Sequence, residues 1–242
     1  MATDSDLEPP RKKARCSADE GPSVESKPIV VRVGETKQEF YVHESLLRAN
    51  SRFFDNALKK EWKEGQEAAV DLPVHDPDLF RTWVKFLYTG RVFVGGAENL
   101  MDNERKHYPE LWAWEGLYDL GVYLDDSDFR DALIDAMIDW MCASCKVPMK
   151  FARCVYPLTA ESSAHRKLGV DAFVNIGRRV PVANMKSFPP DFMRDILREI
   201  MPNLREGLEW SSAVDWFKEM DSCHYHDHGD KPCYKTKPAF RF

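Results

Sequence analysis

Pro77-Asp78-Leu79-Phe80-Arg81-Thr82-Trp83-Val84-Lys85-Phe86-Leu87-Tyr88-Thr89-Gly90 reads as one helix with its own start and stop signals. Pro77 opens it at the first turn, where a missing N–H loses no partner. Leu79, Phe80, Trp83, Val84 and Leu87 recur at helical spacing and form one apolar face. Thr89-Gly90 closes it, because glycine takes the left-handed backbone that ends a helix without steric cost.

Upstream of this helix the periodicity changes. Ile29-Val30-Val31-Arg32-Val33 is compact and β-branched, Gly34 to Lys37 supplies a turn, and Phe40 and Val42 then alternate with Glu39, Tyr41 and His43. The pattern predicts a two-stranded hairpin. After Leu46 and Leu47, Ser51 stands as an N-cap ahead of Phe53, Phe54, Ala57 and Leu58, which share one helical face. Ala69-Val70-Asp71-Leu72 predicts a short third strand before Pro73. Downstream, the polar stretch 91–107, with Gly95-Gly96, predicts a loop. Leu117, Leu120 and Leu124 mark the next helix. Phe129, Leu133, Met137, Trp140 and Met141 mark another, with Asp125-Asp126-Ser127 between the two. The fold class is α+β, a small sheet under a helical cluster.

Three of these stretches, in this order, resemble a known family. Phe40-x-Val42-His43, Leu46-Leu47 and Ser51-x-Phe53-Phe54 are similar to the opening of a BTB/POZ domain. Phe80-x-x-Trp83-x-x-Phe86-Leu87-Tyr88-Thr89-Gly90 resembles that family's third helix and its terminating turn. Leu117-Tyr118-x-Leu120-Gly121-x-x-Leu124, followed by Phe129-Arg130-x-x-Leu133, resembles its closing helix pair. The resemblance covers residues 28–145. It is to the fungal type of the family, which carries a helical C-terminal extension, and it implies a protein–protein interaction module rather than an enzyme. His43 is expected to be a partly buried, hydrogen-bonded side chain and not a base or ligand.

The family's roles differ, and departures from its patterns narrow them. Members that recruit corepressors carry an acidic residue before the first strand and a basic one after the motif histidine. Here those places hold Pro28 and Glu44. No tandem zinc fingers follow, so direct binding to nucleic acid is not expected. The resemblance leaves a substrate adaptor for a cullin-3 ubiquitin ligase, or a scaffold that associates with itself. A cullin would be gripped through Tyr88, the 91–107 loop and residues 125–131.

Beyond residue 145, helical periodicity continues through Leu168, Ala172, Phe173 and Ile176. It returns at Met193, Ile196, Leu197, Ile200 and Leu204 behind Pro189-Pro190-Asp191, and again at Trp210, Val214, Phe217 and Met220. Residues 146–220 form the helical region and 221–242 a C-terminal tail. Within that tail Cys223, His226, His228 and Cys233 offer two thiols and two imidazoles, a donor set that suits tetrahedral zinc. The competing reading is a solvated polar tail. Cys142-x-x-Cys145 has redox spacing but ends an amphipathic helix, and core thiols are expected there. No cofactor other than that zinc is expected, and neither a nucleophile elbow nor a phosphate loop occurs.

Composition sets the outer limits. Of 242 residues 43% are hydrophobic and 12% aromatic, enough to bury a core, and the formal net charge of -6 gives no general attraction to phosphate. Apolar runs are far shorter than a membrane span. Six irregularly spaced cysteines argue against an extracellular disulfide framework. Residues 1–27 are polar and read as a disordered tail. In it Arg11, Lys12, Lys13 and Arg15 resemble a nuclear-localisation signal, against the alternative of a solvated charge run. The expected location is the nucleus, the cytoplasm or both, and a nuclear transcription-associated scaffold is the corresponding alternative function.

Overall fold

A computed structural model describes residues 25–59, 61–94, 109–176, 187–203, 212–218 and 220–237. Arg11, Lys12, Lys13 and Arg15, Gly95-Gly96 with most of the expected 91–107 loop, Leu204 and Trp210 lie outside them.

Strand β1 (Pro28–Val33) turns Ile29, Val31 and Val33 to the interior, as its alternation requires. It pairs antiparallel with β2 (Gln38–His43), Val31 opposite Phe40. Gly34 makes the turn possible. Its φ of +76° is a left-handed backbone, and a Cβ there would meet Pro77 Cγ at 3.1 Å. β3 (Ala69–Leu72) adds parallel to the other edge of β1, Val31 beside Val70, so the sheet order is β2-β1-β3.

Helices α1 (Glu44–Asn50), α2 (Arg52–Ala57) and α3 (Lys63–Glu67) connect β2 to β3. Ser51 caps α2 as expected: its Oγ accepts the Phe54 N–H at 3.2 Å and donates to the Leu124 carbonyl at 2.5 Å. Helix α4 (Pro77–Thr89) has Pro77 in its first turn and Gly90 behind it at φ +66°, whose N–H returns to the Phe86 carbonyl. Phe80, Trp83, Phe86 and Leu87 are buried on it. Trp83 stacks on Phe54 with ring centres 5.6 Å apart, and Phe40 meets Phe80 edge-on at 5.0 Å.

Helix α5 (Pro109–Tyr123) begins well before its expected apolar marks, and α6 (Ser127–Ser144) follows. Asp126 caps α6 by accepting the Phe129 N–H at 2.9 Å and also accepts the Trp83 indole N–H at 2.9 Å. Among the described residues four more helices follow: α7 (Phe151–Leu158), α8 (Ala164–Asn175), α9 (Pro190–Asn203) and α10 (Ala213–Phe217). Sequence periodicity alone did not mark α7. A smaller core of Ala152, Tyr156, Val170, Val174, Phe188, Phe192 and Ile196 joins α7, α8 and α9. Leu197 and Val214, both part of the apolar periodicity of the C-terminal helices, are exposed. The main core runs without a break from Ile29 to Tyr234, through the expected boundaries at 145 and 220. None of the described helices is long and apolar enough to cross a membrane.

Candidate metal centre and its surroundings

The segment 220–237 has little regular structure beyond two 3-10 turns, Ser222–Tyr225 and Tyr234–Thr236. Asp221 starts the first by accepting the Cys223 N–H at 2.9 Å. Gly229, at φ +57°, reverses the chain between them. That reversal brings Cys223, His226, His228 and Cys233 together, with one donor atom from each lying within 4.8 Å of the others. His226 and Cys233 are buried, Cys223 and His228 half-buried. These are the four residues singled out in the tail by donor type. His224 stands apart: it is exposed and contacts Lys167.

The imidazoles are fixed from behind. His226 Nε2 lies 3.0 Å from Asp135 Oδ1 on α6, which leaves its Nδ1 facing the Cys233 Sγ at 3.5 Å. His228 turns Nδ1 toward the Gly229 carbonyl at 3.0 Å, and its Nε2 is buried without a hydrogen-bond partner. Burial works against the Asp135 carboxylate, yet His226, Tyr234 and Lys235 together hold it below the usual carboxylate range. Burial, with the Cys233 thiol alongside, pushes the Cys223 thiol up to about 12.

Asp227, between the two histidines, points to the other side of the loop. Its carboxylate accepts the Ala164 N–H at 2.6 Å and the Ser163 hydroxyl at 2.5 Å at the start of α8, while its own N–H donates to Asp131 Oδ1 at 2.8 Å. The same Asp131 oxygen lies 2.9 Å from His165 Nε2, and His165 Nδ1 lies 2.7 Å from the Tyr118 hydroxyl. Burial pushes the Tyr118 hydroxyl well up, so it stays a donor. With that hydroxyl donating to Nδ1, the His165 Nε2 proton goes to Asp131. His165 and Asp131 side chains are 0% exposed, so this Tyr–His–Asp chain is sealed from solvent. It cross-links α5, α6, α8 and the C-terminal segment. Sequence reading missed it, because its members are single polar residues far apart in the chain.

The other highlighted residues serve packing and capping. Leu47, Phe54, Phe80, Trp83 and Leu87 are buried, and Phe40 and Phe53 pack against the same core. His43 Nδ1 meets the Tyr88 hydroxyl at 2.7 Å, as a hydrogen-bonded histidine should. The Cys142-x-x-Cys145 pair departs from expectation. Cys142 is half-buried, whereas Cys145 is exposed at the C-terminus of α6 in a left-handed conformation, φ +55°. Burial raises the Cys142 thiol, the opposite of what a reactive thiolate needs.

Around the end of α4, Phe93 is 48% exposed with the Lys85 ammonium over its ring. In the stretch 125–131, Asp126, Asp128, Phe129 and Asp131 are buried, and Lys237 of the C-terminal segment pairs with Asp128. Asp125 is exposed and Arg130 half-buried. Residues 28–105 match the family model described as BTB/POZ domain. That match spans the hairpin, the capped α2, the parallel third strand and the Pro77–Gly90 helix described above, and the chain therefore carries a BTB/POZ domain.

Proposed function

We propose that this protein is a non-enzymatic adaptor that presents other proteins to a cullin-3 ubiquitin ligase through the end of α4. BTB/POZ domains are protein–protein interaction modules, so the partners are proteins. The observation that supports this docking place is Phe93, an aromatic left half in water directly beyond a helix whose other aromatic residues are buried or half-buried. Exposed aromatics of this kind anchor interfaces. The adjoining stretch 125–131 offers only Asp125 and parts of Ser127 and Arg130, so the grip on a cullin is concentrated on Tyr88 and residues 91–94.

Titrating the purified full chain with cullin-3 is the test. Binding below tens of micromolar, weakened at least about tenfold by Phe93→Ala, is the expected result. No binding at tens of micromolar would leave self-association as the working role, to be read by light scattering. The nuclear scaffold is supported by Arg11, Lys12, Lys13 and Arg15 alone. Replacing Lys12, Lys13 and Arg15 with alanine should move a fluorescent fusion toward the cytoplasm, and an unchanged distribution would remove that support.

A further inference from the structure

We infer that Cys223, His226, His228 and Cys233 hold a single Zn2+ in a closed structural site that clamps the C-terminal segment onto the BTB-bearing core. The inference stands independently of the cullin reading.

The donors set the metal class. Two sulfurs and two imidazole nitrogens suit zinc, whereas calcium and magnesium require oxygen. The spacing agrees. With Zn–S about 2.3 Å and Zn–N about 2.0–2.1 Å, a tetrahedral S–Zn–N edge is about 3.6 Å. Cys233 Sγ and His226 Nδ1 are 3.5 Å apart.

Each histidine is already oriented by its second nitrogen. A ligating imidazole characteristically donates its other N–H to a carboxylate or a backbone carbonyl. His226 has Asp135 in that place and His228 has the Gly229 carbonyl, so Nδ1 of one and Nε2 of the other are left for the ion. The buried, unpartnered Nε2 of His228 is otherwise a group that a folded protein rarely tolerates. A metal bond satisfies it.

Four protein ligands fill a tetrahedral shell and leave no position for substrate, which marks the site as structural. What it holds is a segment whose buried apolar anchors are few, chiefly Tyr225 and Tyr234. Tyr234 reaches Phe86 of α4 with ring centres 6.3 Å apart, and Asp135 ties the site to α6. Metal binding and ordering of this segment are therefore one event.

The experiment is zinc content of the purified full chain after dialysis against metal-free buffer, with zinc-edge X-ray absorption on the same sample. About one zinc per chain is expected, in a shell of two sulfurs near 2.3 Å and two nitrogens near 2.0–2.1 Å. Cys223→Ser and Cys233→Ser should each lower the content at least about tenfold, while His224→Gln, altering the neighbour outside the site, should keep it. If the serine variants are insoluble, absorption on the parent chain decides alone. Sub-stoichiometric zinc in the parent, equal zinc in parent and serine variants, a shell without sulfur, or a Cys223–Cys233 disulfide in place of metal would each overturn the site.

Discussion

The sheet-side half of the molecule and its C-terminal segment are both buried, but by opposite chemistry. Between β1 and α4 the interior is made of Ile29, Val31, Phe54, Phe80, Trp83 and Leu87, packed ring against ring. Between residues 220 and 237 burial is arranged around Asp227, His226 and Cys233, whose contacts are directional and polar. Apolar packing is forgiving of direction and demanding of volume. Polar burial demands every partner, because an unsatisfied buried group loses its solvation without compensation. The first kind should fail globally, and the second locally.

The largest effect is expected at Trp83. Trp83→Ala removes the ring stacked on Phe54 and the indole partner of Asp126, and should cost about 3–5 kcal/mol in denaturant unfolding of the full chain. A cost below about 1 kcal/mol would show that the sheet-side core is not the cooperative unit.

A second effect is set by pH. Burial pushes the Asp126 carboxyl from its ordinary 3.8 up to about 7, although the Phe129 and Trp83 N–H groups oppose it, with Asp128 raising it further and Lys237 lowering it. Between about pH 4 and 7 the folded chain thus holds a proton that the unfolded chain has released, and the Asp126 contribution falls as pH rises. Stability measured across that window should decline by up to a few kcal/mol more in the parent than in Asp126→Asn. Parallel pH profiles would mean that Asp126 ionises normally in the fold.

The smallest effect should separate the two regions most sharply. Asp227→Ala leaves the Ser163 hydroxyl and Ala164 N–H without their carboxylate and should cost about 1–3 kcal/mol. Hydrogen exchange should quicken in 220–237 and leave β1 unchanged. Equal quickening in β1 would show one undivided cooperative unit instead.

The same contrast explains what could be read from sequence. β1, the Ser51 cap and the Pro77–Gly90 helix are written locally, in alternation, in one capping residue and in a proline–glycine pair. Helix α7 is short and contains Pro157, a residue that argues against continuing a helix, so no local pattern marks it. Leu197 fits the apolar periodicity of α9 but lies outside the face that α7 and α8 cover, which no local pattern reveals. The four candidate ligands were legible because they sit within a few residues of one another and share one chemistry. The link between Tyr118, Asp131, His165 and Asp227 is the reverse case. Each is an ordinary polar residue until folding joins it to the others.

Tyr234 against Phe86 has a consequence for how the chain is made. A ribosome delivers α4 long before Tyr234, so the nascent BTB domain waits with that part of Phe86 uncovered until the C-terminal segment emerges. Polypeptides released before Tyr234 would keep this aromatic patch exposed, where chaperones and proteases recognise unfinished proteins. The closing contact thus forms only in chains translated through Tyr234.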